Sequence, residues 1–261
     1  MDDPPSVMRE KFAMSNGLLI PGGGSGGTST FAPPALLVAA QRLYEWAHDE
    51  GNYPIHGTCL GHEILLTLVA EGDTSVIEDL SGSDYVTKLQ ARKETLLSRF
   101  SRHIPWAFTS KAIFHPLMYF NHMHGITRDS FENDPRLTEV LRPIVNATDL
   151  QGTSFIAAFE SLSDEVPLSG FQFHPEKAQY EWHRPSNVNH EKDAIVLSSM
   201  LAFAFVDRAA FNEHRPSPPG DEERYLIHRT ATPTYTGDWP SDPASGEPFP
   251  FEEIYLFDPV H

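Results

Sequence analysis

Among the 261 residues there is a single cysteine, Cys59, so no intrachain disulfide can form, and cysteine usage points to neither an oxidising nor a reducing compartment. No run of about 18 apolar residues occurs, which excludes an ordinary membrane-spanning helix. The first dozen residues, Met-Asp-Asp-Pro-Pro-Ser-Val-Met-Arg-Glu-Lys-Phe, lack both a basic start and an apolar stretch and do not read as a signal peptide. Basic side chains are scarce, 19 against 36 acidic, leaving a formal charge of −17. That field repels a polyanion, so nucleic acid is set aside as a partner. Internal repeats are missing too. Without a secretion signal, the triplet Asn146-Ala-Thr148 is an incidental glycosylation sequon. What the chain does have is a 40% apolar fraction with 11% aromatics, ample for a buried core in one domain.

Residues 17–20 read as a short buried strand that runs into Pro21-Gly22-Gly23-Gly24-Ser25-Gly26-Gly27, a loop whose glycines permit positive φ and close backbone approach. Over residues 34–48, apolar side chains at i, i+3 and i+4 predict an amphipathic helix. Residues 53–57 predict a second buried strand and residues 63–70 a helix closed by Gly72. Further on, residues 92–103 read as helix, 142–145 and 154–159 as strands, and 193–211 as a long apolar helix. Residues 215–224 and 237–250 are rich in proline and acidic residues and read as exposed loops. Short apolar strands alternating with helices predict an α/β fold with a largely parallel sheet. The expectation is one domain over residues 1–261, with 1–15 disordered and 215–250 a loop-rich tail.

Two motifs carry chemistry. In Ile55-His-Gly-Thr-Cys59-Leu-Gly61-His62 a cysteine stands between a predicted strand and a helix, with glycines two before and two after. This is the pattern of a nucleophile elbow, whose sharp turn needs small neighbours and lifts the side chain out at the C-terminal edge of the sheet. The helix N-terminus there is expected to favour the thiolate. A lone cysteine is also often just a small buried apolar residue. The second motif, Gly170-Phe-Gln-Phe-His174-Pro-Glu176-Lys177, ends a predicted strand with an imidazole and a carboxylate two residues apart. A cysteine nucleophile needs an imidazole to take its proton and return it to the leaving amine, and that imidazole needs a group to fix its tautomer. His174 and Glu176 suit those roles, although thirteen histidines make a surface His-Pro-Glu loop an alternative.

Together these motifs resemble the class I glutamine amidotransferase-like hydrolases, which have a Gly-x-Cys-x-Gly elbow and a later strand ending in His-Pro-Glu. Within them, the run His174-Pro-Glu-Lys-Ala178-Gln-Tyr180-Glu181-Trp182 is similar to that of the gamma-glutamyl hydrolases. Leu19-Ile-Pro-Gly-Gly23, Tyr235-Thr-Gly237 and Tyr255-Leu-Phe-Asp258 extend the resemblance over most of the chain, with a looser middle third. It implies a flavodoxin-like three-layer α/β sandwich around a mainly parallel sheet. The implied activity is removal of glutamate from the γ-linked polyglutamate tail of folates through a thioester, without metal or cofactor. Carried over by position, Cys59 is the nucleophile, His174 the acid/base and Glu176 the orienting carboxylate. The oxyanion hole comes from the backbone N–H of Leu60 and of Gly22 or Gly23. His122, in Asn121-His-Met-His-Gly125, aligns with a family histidine in the substrate pocket, and His124 is close to it. Lys177 and Arg184 are the candidate cations for the carboxylates of the substrate, though both read equally as solvated surface charges.

The family begins with an extra strand, helix and strand before the Pro-Gly-Gly loop, so the resemblance implies an N-terminally truncated sheet. Family members are vacuolar, lysosomal or secreted, whereas this start, if real, implies the cytoplasm. They are often dimers, which leaves a homodimer open here. A glutaminase that feeds ammonia to a synthetase shares the same triad and stays open as an alternative, as does a catalytically inactive remnant.

Overall fold

The strands and helices that the sequence alternates are also adjacent in space. The structure, a computed structural model, describes residues 3–24, 31–182, 186–230, 232–235 and 253–256. Helix α1 (Pro5–Met14) precedes β1 (Leu18–Ile20), and α2 (Pro34–Glu50) leads to β2 (Ile55–Thr58) and α3 (Leu60–Val69). Next come β3 (Glu78–Thr87), β4 (Gln90–Ala91), α4 (Phe100–His103), α5 (Trp106–Phe114) and β5 (Met118–Gly125). Short helices α6 (Arg128–Asn133) and α7 (Pro135–Thr138) are followed by β6 (Leu141–Thr148), β7 (Ser154–Ser161), β8 (Leu168–Phe171) and α8 (Lys177–Tyr180). The long helix α9 (Lys192–Ala209), then α10 (Ile227–Thr230) and the antiparallel pair β9 (Thr232–Tyr235) and β10 (Glu253–Leu256) complete the described chain.

The main sheet has the order β1-β2-β8-β7-β6-β4. Strands β1, β2 and β8 are parallel neighbours, β7 runs against β8, β6 against β7, and β4 against β6. Four of the six strands therefore point one way, so the sheet is mixed but mainly parallel in direction. Apolar side chains cover both faces. One core packs Ile64 and Leu65 of α3 against Ile55, Ile156 and Phe159, and the other packs Leu197 and Leu201 of α9 against Val145, Ala158 and Phe171. This is the expected three-layer α/β arrangement. No helix among the described residues is long and apolar enough to cross a membrane.

Some local expectations are corrected. Residues 1–15 were expected to be disordered, yet 5–14 form α1. Met8 and Phe12, one turn apart, both bury, and Phe12 stacks on Tyr53 with ring centroids 4.2 Å apart. Burying a phenylalanine contributes about 1.5–3 kcal/mol, enough to hold a short helix that its own propensity would not. Residues 92–103 do not form one helix. They break into a 3-10 turn at Thr95–Leu97 and α4, because Thr95 Oγ1 donates to Ile144 O (2.6 Å) and Ser98 Oγ to the buried Glu160 (3.0 Å). Strand β3, polar and interrupted by register shifts against β5, had no clear period-2 signal. The 215–224 stretch contains a short 3-10 turn, Asp221–Tyr225, while residues 236–250 lie outside the described residues. Asn146 of the sequon is buried in β6 and accepts from Arg92 (3.2 Å), out of reach of glycosylation.

Candidate active site

Three neighbouring parallel strands end at one edge of the sheet, and each delivers one part of the site. The register pairs Ile20 of β1 with Gly57 of β2, and Gly57 with Gly170 of β8. Two residues beyond Ile20 stands Gly22, two beyond Gly57 stands Cys59, and four beyond Gly170 stands His174. Open α/β sheets place ligands at the carboxyl ends of their strands for this reason.

The turn at Cys59 is tight. Its φ of 51° lies in the left-handed region that disfavours side chains, a strain of order 1–3 kcal/mol, as expected of a nucleophile elbow. Surrounding contacts enforce it. The Cys59 N–H donates to Phe171 O (2.7 Å), its carbonyl accepts from Glu63 N (3.1 Å), and α3 starts at Leu60. The flanking glycines permit the approach: a Cβ on Gly57 would sit 2.2 Å from Gly61 O, and one on Gly61 would sit 2.1 Å from Ile20 O. Both distances are far inside van der Waals contact, so only glycine fits.

His174 is buried, its N–H donates to Tyr119 O (2.9 Å), and its Nδ1 lies 2.6 Å from Glu176 Oε1. The carboxylate thus accepts a hydrogen bond from Nδ1–H, which leaves Nε2 unprotonated in the neutral ring, the tautomer suited to a base. Burial would raise the Glu176 carboxyl, but the hydrogen bond and charge of His174 outweigh it and hold the group below the ordinary carboxylate value. The Pro-Gly-Gly loop closes the site from the third side. A Cβ on Gly22 would lie 2.6 Å from His174 Cε1 and 3.4 Å from Cys59 Cβ, and one on Gly23 would lie 3.3 Å from Leu60 Cδ2. The structure therefore brings Cys59, His174, Glu176, Leu60, Gly22 and Gly23 together.

One electrostatic expectation is reversed. The thiol is not a resting thiolate. Burial, and after it the nearby Glu63, push Cys59 up to about 12, and the Leu60 N–H at the helix start only partly offsets this. Sγ donates to Asn121 O at 3.7 Å.

His122 on β5 is covered: Nδ1 pairs with His124 O (2.8 Å), Nε2 has no partner among the described residues and abuts Gly82, and Phe155 packs on the ring at 5.1 Å. Burial drives its imidazole down to about 4. It is a buried histidine, neutral near pH 7, in this structure. His124 faces the surface beside Asp79 at 3.7 Å. Lys177 is mostly buried, already paired with Glu181 and set over the Tyr119 ring at 5.9 Å, so part of its charge is satisfied internally. Arg184 lies outside the described residues. Sequence reasoning missed Asn121, Glu63 and Gln172. The last two carried a signal: Glu63 is one helical turn after Cys59, and Gln172 shares the two-residue alternation with His174.

No family model matches the chain. Its sequence is 28% identical to the gamma-glutamyl hydrolase of Rattus norvegicus over 248 residues, covering 94% of this chain and 73% of that protein. It is 29% identical to the gamma-glutamyl hydrolase of Homo sapiens over 249 residues, covering 95% and 73%. Among solved structures, the glutaminase domain of Trypanosoma brucei CTPS, with bound acivicin, aligns with a TM-score of 0.51 at 13% identity, covering 81% of this chain and 78% of that one. The sequence is thus similar to those of the gamma-glutamyl hydrolases over nearly the whole chain, and the fold is glutamine amidotransferase-like.

Proposed function

We propose that the chain cleaves γ-glutamyl peptide bonds of folate poly-γ-glutamates through a glutamyl thioester on Cys59. The observation that carries this reading is the meeting of Cys59, the Glu176-bonded His174 and Gly22 at one strand edge, in a chain homologous to gamma-glutamyl hydrolases. His174 Nε2 takes the thiol proton as Sγ attacks the γ-carbonyl carbon. The N–H of Leu60, with that of Gly22 or Gly23, receives the oxyanion, since backbone donors stand ready before the charge develops. As the C–N bond breaks, His174 returns the proton to the departing amine of the next glutamate. Water, deprotonated by the same imidazole, then hydrolyses the thioester and frees the thiol. Glu176 holds the ring throughout and stabilises the imidazolium.

The test is release of glutamate from a synthetic folate with a γ-linked polyglutamate tail, with Cys59→Ala and free glutamine as controls. The expected result is release that the variant abolishes, with glutamine untouched. Turnover of glutamine instead would assign the chain a glutaminase role. A folded protein inert toward both would support the inactive-remnant reading.

A further inference from the structure

One turn after the nucleophile lies a buried carboxyl that this hydrolysis does not use. Glu63 is 3% exposed on α3, and its backbone N–H donates to Cys59 O at 3.1 Å, which ties it to the turn that carries the nucleophile. Gln172 Nε2 donates to its Oε1 at 2.9 Å, and Gln172 belongs to the segment that carries His174. No cation pairs with Glu63 among the described residues. Beside it on α3, His62 is fully buried, and burial drives that imidazole down to about 3. Burial likewise holds His56 on β2 and His122 on β5 down to about 4, so none of these rings supplies a positive charge near neutrality. Beyond Gln172 stand His174, Glu176 and Lys177, the first two bonded to each other and Lys177 paired with Glu181. On α7, Arg136 is engaged with Asp134 and Asp73.

The geometry points to Glu63 as a positioning residue for the nucleophile: Gln172 holds its carboxyl in the first turn after the elbow, and whether that carboxyl is neutral or charged sets how readily Cys59 ionises in the closed site. Two acids that share a buried site titrate as a coupled pair, and the first to ionise suppresses the second. Burial raises Glu63 to about 7, with the Gln172 hydrogen bond acting against it, and Glu63 in turn raises the thiol. The neutral carboxyl below neutrality therefore leaves the thiolate easier to form, and the carboxylate above it opposes ionisation. This rests on the reading of Cys59 as the nucleophile.

Because Cys59 is the only cysteine, its titration can be read without substrate, from the rate of alkylation by iodoacetamide across pH in the full-length chain. The expected result is that Glu63→Gln reacts like the parent near pH 6 and about tenfold faster near pH 8.5, where only the parent carries the second anion. A ratio that stays constant with pH overturns the proposal, because a merely structural role for Glu63 would shift all rates together. If Glu63→Gln fails to fold, Gln172→Met serves: it removes the hydrogen bond that favours the carboxylate, so the inflection near neutrality moves to higher pH, and an unmoved inflection overturns the proposal. A chain that titrates as described yet cleaves no γ-glutamyl bond refutes the proposed function and leaves the role of Glu63 standing.

Discussion

Replacing Gly22 by alanine tests the site at its narrowest point. The added Cβ would stand 2.6 Å from His174 Cε1 and 3.4 Å from both His174 Nδ1 and Cys59 Cβ. Carbon atoms in contact prefer about 3.5–4.0 Å, so either the imidazole or the loop must retreat by about 1 Å. If the ring moves, its 2.6 Å bond to Glu176 stretches beyond hydrogen-bonding range; if the loop moves, its N–H groups leave the oxyanion position. A displacement of about 1 Å at a reacting group costs on the order of a hundredfold in rate, or about 2.7 kcal/mol of transition-state stabilisation. The assay is kcat/KM for glutamate release from a γ-linked substrate, with a thermal melt to show that the fold survives. Gly24→Ala is the matched control, because a Cβ there meets nothing within 4 Å among the described residues, and it should retain parental activity. Gly22→Ala within about threefold of the parent would refute the placement of this loop against the catalytic imidazole.

Further outcomes follow from other parts of the molecule. Glu176→Gln keeps the shape of the side chain but loses the charge that fixes the His174 tautomer, so kcat should fall roughly a hundredfold or more with little change in KM; a change confined to KM would contradict an orienting role. Gly61→Ala forces a Cβ to 2.1 Å from the backbone of Ile20, which cannot rotate away, and should cost about 3 kcal/mol or more, read as a fall in melting temperature of roughly 6–12 °C. Phe12→Ala should cost about 3–5 kcal/mol in a denaturant titration; a negligible effect would mean that α1 does not dock in solution. Burial holds His56, His62 and His122 below the ordinary imidazole value, so the unfolded chain binds protons first as the pH drops. Their contribution to stability is fully present above about pH 6.5 and is lost as the pH falls toward 4. Glu63, with its raised carboxyl, opposes this, but one group against three leaves melts at decreasing pH showing net destabilisation across that window.

Much of the site was legible because its geometry is local in sequence. The elbow announces itself through Gly57 and Gly61, each required by a backbone contact, and the imidazole and its carboxylate are two residues apart with a proline between them. What could not be read depends on burial and on partners distant in the chain. The helix start suggested a thiolate at Cys59, but how strongly an enclosed sulfur resists ionisation follows from what covers it, including Gly22 from the loop after β1 and Asn121 from a separate two-stranded sheet. His122 was assigned by similarity, and Lys177 by its charge and its place beside the catalytic strand in sequence. Whether the imidazole faces a cavity or a phenylalanine, and whether the ammonium already has a carboxylate, are properties of the packed state. The N-terminal helix was missed for a related reason: only Met8 and Phe12 mark it, and Phe12 gains its significance from Tyr53 and Trp46.

The two glycines of the elbow have a consequence for how such chains should be compared with one another. Gly57 and Gly61 answer to the spacing between a strand, a helix and the strand beside it, not to the reaction. A descendant that lost catalysis would still have to keep both, since a methyl group at either place collides with main-chain atoms, whereas its sulfur could be exchanged freely. The motif therefore contains two separate messages. The glycines testify to inherited architecture, and residue 59 alone testifies to chemistry still in use.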